Sequence, residues 1–170
     1  MQQENVILVN ERDEVIGTME KLEAHQKGLL HRAISVFIFD NQHRLLLQQR
    51  AAHKYHSAGL WTNTCCSHPA PGETASAAAH RRLEEEMGMH VPLTFAFTFR
   101  YRAPFDNGLV EHELDHVFIG YSNHPPIPNP AEVAAYRWSD RTTIDRENRE
   151  NPEAYTAWFK LIYDKVFERA

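Results

Sequence analysis

Two short stretches of the chain place acid-base and metal-capable side chains at every second residue: Cys66 and His68 within Thr62 to Pro69, and Glu111 and Glu113 further on. Successive side chains of an extended strand point to opposite faces, so each pair presents both members to one side. A thiol, an imidazole and two carboxylates can then line one pocket. Thiol and carboxylate are proton donors and acceptors, and imidazole with carboxylate is a donor set for first-row divalent ions. His25 and His31 add two imidazoles near the N-terminus, in a chain where 11 of 170 residues are histidine.

The elements that must position these groups can be read from periodicity. Val6 to Asn10 and Val15 to Thr18 are expected to form a hairpin around a turn at Glu11 to Glu14. Ala33 to Asp40 and Arg44 to Arg50 are expected to form a second strand pair turning at Asn41 and Gln42, and Leu60 to Cys66 another extended segment. The spacing predicts a helix over Thr74 to Met87, with Thr74 as N-cap, Gly88 as C-cap and Ala75, Ala79, Leu83 and Met87 on its buried face. Phe95, Phe97, Phe99 and Tyr101 alternate, which predicts a strand with one aromatic face over Thr94 to Arg102. In Glu111 to Tyr121, Glu111, Glu113 and Asp115 share a face opposite Leu114 and Phe118. A proline-rich loop at Pro125 to Pro130 precedes a last strand at Val133 to Trp138. A C-terminal amphipathic helix, beginning at Asn151 and Pro152, carries Tyr155, Trp158, Phe159, Ile162, Tyr163 and Val166. The class expected is α+β, mostly antiparallel, in a single domain over residues 1–170.

Composition narrows the function classes. At 42% hydrophobic and 24% charged residues, with no apolar run near the roughly 20 residues of a membrane span, the chain reads as a globular protein not of the membrane. A formal charge of −5 offers no broad basic face for nucleic acid. Met1-Gln2-Gln3-Glu4 lacks the basic and apolar regions of a secretion signal, and a cytoplasmic protein is expected. The only cysteines, Cys65 and Cys66, are adjacent, where a disulfide is geometrically awkward, so both are expected as free thiols.

Gly72-Glu73 followed by Arg81-Arg82-Leu83-Glu84-Glu85-Glu86-Met87-Gly88 resembles the Nudix box, in which carboxylates gather Mg²⁺ around a pyrophosphate and position water. Two positions depart from it. Ser67 stands where the first glycine is expected, and Arg82 replaces a metal-binding glutamate, removing a ligand and adding a guanidinium fork for phosphate. By itself the run Glu84 to Glu86 also fits an ordinary solvated helix face.

Thr62-Asn63-Thr64-Cys65-Cys66-Ser67-His68-Pro69, with Glu111-His112-Glu113 downstream, resembles the type I isopentenyl-diphosphate isomerases, a Nudix-fold family with a mixed sheet flanked by helices. The likeness extends over Lys21, His25, His31, Arg50, Lys54, the Phe99 to Ala103 segment and Trp158. It implies an isomerase that protonates isopentenyl diphosphate and removes a proton elsewhere to give dimethylallyl diphosphate. By that likeness Cys66 and Glu113 are the proton-transfer pair, Tyr101 assists the carboxylate, and Trp158 and Trp61 offer π faces to a carbocation. His25, His31, His68, Glu111 and Glu113 would hold one Mn²⁺ or Zn²⁺, with Fe²⁺ also compatible with such donors. A Mg²⁺ accompanying the diphosphate would meet Glu86 and the backbone carbonyl of Cys66, and Lys21, Arg50, Lys54 and Arg82 would clamp the anion. Plainer readings stand beside these: Trp158 lies on the apolar stripe of its helix, and lysines and arginines are usually solvated. The competing functions are a Nudix pyrophosphohydrolase of a nucleoside diphosphate derivative and a non-catalytic diphosphate-binding module.

Overall fold

Runs of Val, Ile, Leu and Phe become the strands of one mixed sheet, and the two longest amphipathic stretches become helices packed on its opposite faces. The structure, a computed structural model, describes residues 4–54 and 56–170. In chain order the strands are β1 (Asn5–Val9), β2 (Val15–Glu20), β3 (His31–Phe39), β4 (Leu45–Arg50), β5 (Trp61–Thr62), β6 (Cys65–Ser67), β7 (Thr94–Pro104), β8 (Val110–Tyr121) and β9 (Val133–Ser139). The helices are α1 (Lys21–Lys27), α2 (Ala75–Met87), α3 (Arg141–Glu150) and α4 (Ala157–Arg169).

Strand β3 is the centre. It pairs antiparallel with β1, β4 and β6, and parallel with β8 along its whole length, from His31 opposite Glu113 to Phe39 opposite Tyr121. Every other pairing between these strands is antiparallel among the described residues, and a lone parallel bridge joins Trp61 to Tyr155 outside these pairings. The expected α+β class holds, and the single parallel pair is what brings residues 82 positions apart into contact.

Alternation along the strands sorts side chains into two apolar layers. Phe37, Phe39, Leu47, Val117 and Ile119 pack under Trp158, Phe159, Ile162 and Val166 of α4. Ile34, Val36, Ile38, Leu46 and Phe118 pack under Ala78, Ala79, Leu83 and Met87 of α2. Each fully buried large side chain contributes about 1.5 to 3 kcal/mol relative to exposure. The carboxylate row of β8 lies on the α4 side of the sheet, beyond the end of that apolar layer.

Helix α2 is capped as its sequence predicts: Thr74 Oγ1 accepts from the Ala77 amide at 3.1 Å, and Gly88, at φ +62°, donates its amide to the Glu84 carbonyl. The proline-rich loop docks on this cap through Ile127 N to Met87 O and Asn129 N to Glu86 O, both 2.8 Å. A Cβ on Gly88 would stand 2.7 Å from the Ile127 carbonyl oxygen and 2.9 Å from its Cβ. Gly88→Ala is therefore expected to destabilise the fold by about 2 to 4 kcal/mol, from left-handed strain plus overpacking. Urea unfolding checks this, and an unchanged midpoint would show that the loop yields freely.

Four departures from the sequence expectations have local causes. The extended segment expected from Leu60 to Cys66 is broken between β5 and β6. There Thr64 Oγ1 bonds the Leu46 carbonyl and the Ile38 amide, and Asn63 Nδ2 donates to the Val36 and Cys65 carbonyls. Buried side chains thus take the place of ladder bonds. The aromatic face of β7 is interrupted by a bulge between Phe95 and Phe97, which turns Phe95 to the other face, 52% exposed and edge-on to Phe118. Pro152 opens a 3₁₀ turn over Pro152–Ala154 rather than the last helix, which begins after Thr156. Helices α1 and α3 are additional to the expected elements.

Candidate active site and metal centre

Three adjacent strands and one short helix converge on a cleft at the start of β3. Register sets His31 of β3 opposite Glu113 of β8, and Ser35 of β3 opposite Cys66 of β6. Facing residues of paired strands point the same way, so all four side chains rise on the α4 side of the sheet. His68 follows β6, two residues beyond Cys66. Helix α1 buries His25; the Glu20 carboxylate caps it by accepting from the Leu22 and Glu23 amides, and Gly28 ends it at φ +65°.

The metal-capable cluster is tight. His31 Nε2 lies 3.2 Å and His68 Nε2 2.6 Å from the same Glu113 oxygen, Oε2. Ligand atoms of His25, His31, His68 and Glu113 fall within 4.8 Å of one another, as do those of His25, His56 and Glu111. His25 Nδ1 lies 2.7 Å from the Lys21 carbonyl and His31 Nδ1 2.9 Å from that of Leu29. Donation from Nδ1–H to a carbonyl leaves the Nε2 lone pair aimed inward. For His31 that lone pair then confronts a carboxylate oxygen, an arrangement stable only with a proton or a cation between them. These residues fit a divalent ion on chemistry as well as spacing. Burial brings His25 down to about 4 and also lowers His68, which keeps both imidazoles neutral and able to coordinate near pH 7.

Beside the cluster, Tyr101 Oη lies 2.8 Å from Glu111 Oε1 and 2.5 Å from Glu113 Oε1. One phenol proton can serve only one of them, so a carboxyl group must carry a proton as well. Burial, reinforced by the Glu113 carboxylate, pushes Glu111 well above the usual carboxylate range. For Glu113 burial acts in the same direction, but the contacts of His68 and His31 with its Oε2 outweigh it and hold the group well below that range. Of the pair, Glu111 is the one whose protonated form burial favours, and a bound ion would draw it back to the carboxylate.

Cys66 and Cys65 are free and point to opposite faces, as strand alternation requires. The Cys66 thiol donates to Asn63 Oδ1 at 3.0 Å and accepts from Trp158 Nε1 at 3.1 Å. Burial, then the Asp115 and Glu86 carboxylates, push this thiol up, so it holds its proton. Cys65 packs with the α2 layer and reaches Glu86 Oε2 at 3.5 Å.

The rim is cationic, and every cation is already partnered. Lys21, Arg50, Lys54 and Arg82 all line the cleft. Lys21 pairs with Glu4 at 2.9 Å, Lys54 with Glu132, and Arg82 with Glu86 at 2.9 Å and Glu132 at 3.5 Å. Arg50 Nη2 donates to the His56 carbonyl at 3.3 Å, and its guanidinium lies 5.5 Å from the centre of the Trp158 ring.

Most of the residues expected from sequence meet here: Cys66, His68, Glu111, Glu113, Trp158 and the four cations line one cleft, with His25, His31 and Tyr101 directly behind. Two do not. Trp61 lies away from the cleft against α4, its ring covered by Arg137 at 4.3 Å. Glu86 is buried beneath Arg82, with Oε1 taken by Gln48 at 3.0 Å and Oε2 by Arg82 and Cys65. Trp158 satisfies both of its readings, as a core residue of α4 whose edge meets the thiol. Sequence reasoning missed His56, Asn63, Glu4 and Glu132, which line or support the site. For His56 the signal was its place beside Lys54 in the loop that follows Arg50 at the end of β4.

The sheet and its flanking helices are those of a Nudix domain, the family that matches residues 29–159. The crystal structure of DR0079 from Deinococcus radiodurans superimposes with a TM-score of 0.78 at 21% identity, covering 95% of this chain and 98% of the other, a likeness of fold. A protein of Pectobacterium atrosepticum named isopentenyl-diphosphate Delta-isomerase is 55% identical over 161 residues, spanning 95% of this chain and 90% of its own. Isopentenyl-diphosphate Delta-isomerase 2 of Aromatoleum aromaticum is 51% identical over 164 residues, spanning 96% and 87%. The chain belongs to the isopentenyl-diphosphate Delta-isomerase family of Nudix-fold proteins.

Proposed function

We infer that the protein is an isomerase interconverting isopentenyl and dimethylallyl diphosphate. The observation that carries this reading is the placement of a thiol and a carboxylate on strands flanking β3. With strands about 4.8 Å apart, the backbones of β6 and β8 stand about 10 Å from each other, and Cys66 and Glu113 reach inward from the two sides. A five-carbon chain between them meets a proton-transfer group on either side.

In the forward direction Glu113 gives a proton to C4. The alkene π electrons form the new C–H bond and leave a tertiary cation at C3. Cys66 then takes a proton from C2, and the released electron pair becomes the C2–C3 double bond. The resting pair, a thiol at Cys66 and an ionised Glu113, is the state this direction leaves behind and the state from which the reverse direction starts. Each forward turnover moves one proton from Glu113 to Cys66 by way of the substrate, so the next one requires the thiol to give up its proton and Glu113 to regain one, with Tyr101 as the relay on the carboxylate side. Burial of Trp158 against Cys66 excludes water that would trap the cation, and the indole face stabilises positive charge by roughly 0.5 to 2 kcal/mol.

Lys21, Arg50, Lys54 and Arg82 take the diphosphate. Mn²⁺ or Zn²⁺ suits the imidazole and carboxylate donors of His25, His31, His68, Glu111 and Glu113, and would fix Glu113 and tune its acidity. Mg²⁺ bound with the diphosphate would neutralise its charge, with Glu86 and the Cys66 carbonyl as protein oxygen donors. Glu86 serves this way only when Arg82 releases it to hold phosphate. The same pairing disfavours Nudix hydrolysis, because Arg82 occupies the place of a metal-binding carboxylate and neutralises Glu86.

The test is proton NMR of isopentenyl diphosphate incubated with the protein and Mg²⁺ in D₂O. Deuterated dimethylallyl diphosphate is expected. An unchanged substrate in a folded, metal-loaded sample would defeat the reading, and release of a nucleoside monophosphate from a nucleoside diphosphate derivative would favour the hydrolase.

A further inference from the structure

We propose that Asn63 is a positioning residue of the isomerisation: its side-chain oxygen, locked in place from behind, holds the Cys66 thiol proton and sets where the sulfur sits in the cleft. The inference rests on the proposed role of Cys66 as a proton-transfer group.

Asn63 is fully buried in the break between β5 and β6, and the way its amide faces is settled on the side away from the thiol. Nδ2 lies 3.1 Å from the Val36 carbonyl and 2.9 Å from the Cys65 carbonyl, and only the NH₂ end of an amide can face two acceptors. Both of its hydrogens are used there. Oδ1 is thereby turned toward Cys66, and a rotation that carried it away would break both bonds. Holding the strand break needs only Nδ2. Nothing in that task calls for an oxygen aimed at the thiol.

The oxygen accepts from Cys66 Sγ at 3.0 Å, from Thr62 Oγ1 at 2.9 Å and from Trp158 Nε1 at 3.3 Å. A carbonyl oxygen has two lone pairs, so three donors crowd it. The indole relieves the crowding by sharing its hydrogen with the sulfur, at 3.1 Å. The Thr62 hydroxyl is directed from behind. Thr62 Oγ1 and Thr156 Oγ1 are 2.8 Å apart, and because the Thr62 hydrogen goes to Asn63, the Thr156 hydrogen points to Thr62. Thr156 is the N-cap of α4, where a threonine ordinarily accepts from an amide of the first turn, and its side chain makes no such bond. That hydroxyl serves the chain of hydrogen bonds that ends at Asn63 instead.

Two bonds thus fix the sulfur, which donates to Asn63 and accepts from Trp158. Its second lone pair is left for the cleft, which Cys66 lines. Proton exchange with carbon requires the reacting atoms to be closely aligned, and a thiol without these anchors would divide its time among staggered rotamers, most of them out of line.

Cys65→Ala leaves Cys66 as the single thiol of the chain, so one S–H stretch remains in its Raman spectrum. In that background Asn63→Ala is expected to move the band to higher wavenumber, as loss of a hydrogen bond does, and to lower kcat about 10-fold or more while KM stays within about threefold. Thr62→Val is expected to move the band the other way, because the thiol then gains the share of Oδ1 that the hydroxyl held. A band unmoved in both folded variants, in a protein that isomerises normally, overturns the proposal and leaves Cys66 in its role. So does a shifted band in Asn63→Ala with kcat unchanged. A wild type that does not isomerise defeats the isomerase reading, and the positioning role with it. If Asn63→Ala fails to fold by circular dichroism, Thr62→Val decides alone, and an unmoved band there overturns the proposal.

Discussion

Cys66→Ala is expected to lower isomerase turnover by about 10³-fold or more while leaving diphosphate affinity within a few-fold of wild type. In the proposed reaction the thiol is the proton-transfer group on the β6 side of the cleft. Its neighbours Asn63, Thr62 and Trp158 offer an amide, a hydroxyl and an indole, none of which exchanges a carbon-bound proton near pH 7. The proposed diphosphate clamp, Lys21, Arg50, Lys54 and Arg82, lines the cleft and loses no contact with the sulfur. Removing the sulfur leaves Trp158 Nε1 with only its longer bond to Asn63 Oδ1, at 3.3 Å, so a stability loss of about 1 to 2 kcal/mol accompanies the change. The check combines the NMR rate in D₂O with calorimetric titration of a diphosphate. Retained turnover would remove Cys66 from the mechanism, and loss of binding alongside turnover would make its role structural.

Glu113→Gln is expected to abolish both turnover and retention of the transition ion. The amide has nearly the volume of the carboxyl group, so the packing of β8 against β3 survives. What changes is charge: Glu113 Oε2 is the point on which His31 and His68 converge, and a neutral amide oxygen binds a divalent ion far more weakly than a carboxylate. Elemental analysis after dialysis reads the metal, and the same NMR assay reads the turnover. Normal metal content would exclude Glu113 as a ligand, whereas lost metal with normal turnover would separate the ion from the chemistry.

What could be read from the chain was what depends on near neighbours. The alternation that pairs Cys66 with His68 and Glu111 with Glu113 is a property of any strand, and the cap residues Thr74 and Gly88 act within one turn of α2. Helix α1 escaped notice because its seven residues hold too little periodicity, and α3 because Ile144 is its only buried side chain. The meeting of His31 with Glu113 depends on a parallel pairing across 82 residues, which no local pattern encodes. There the resemblance to a family supplied what spacing could not. Trp61 and Glu86 show the reverse limit. Their residue types suit the chemistry, but Arg137 covers one and Arg82 with Gln48 occupies the other.

The self-pairing of the rim bears on how a turnover ends. Substrate and product of the proposed reaction carry the same diphosphate, so four cations proposed to hold that group would grip both equally and would not favour conversion of one into the other. A bare tetracation would hold the product as firmly as it captured the substrate, and escape would limit the cycle. Glu4 and Glu132 already pair with Lys21, Lys54 and Arg82, so in the proposed cycle a departing diphosphate leaves each of these cations with a carboxylate at hand. The exchange of one anion for another lowers the barrier to leaving, much as a displaced counterion does at a charged surface, and it keeps the mouth near neutral between visits.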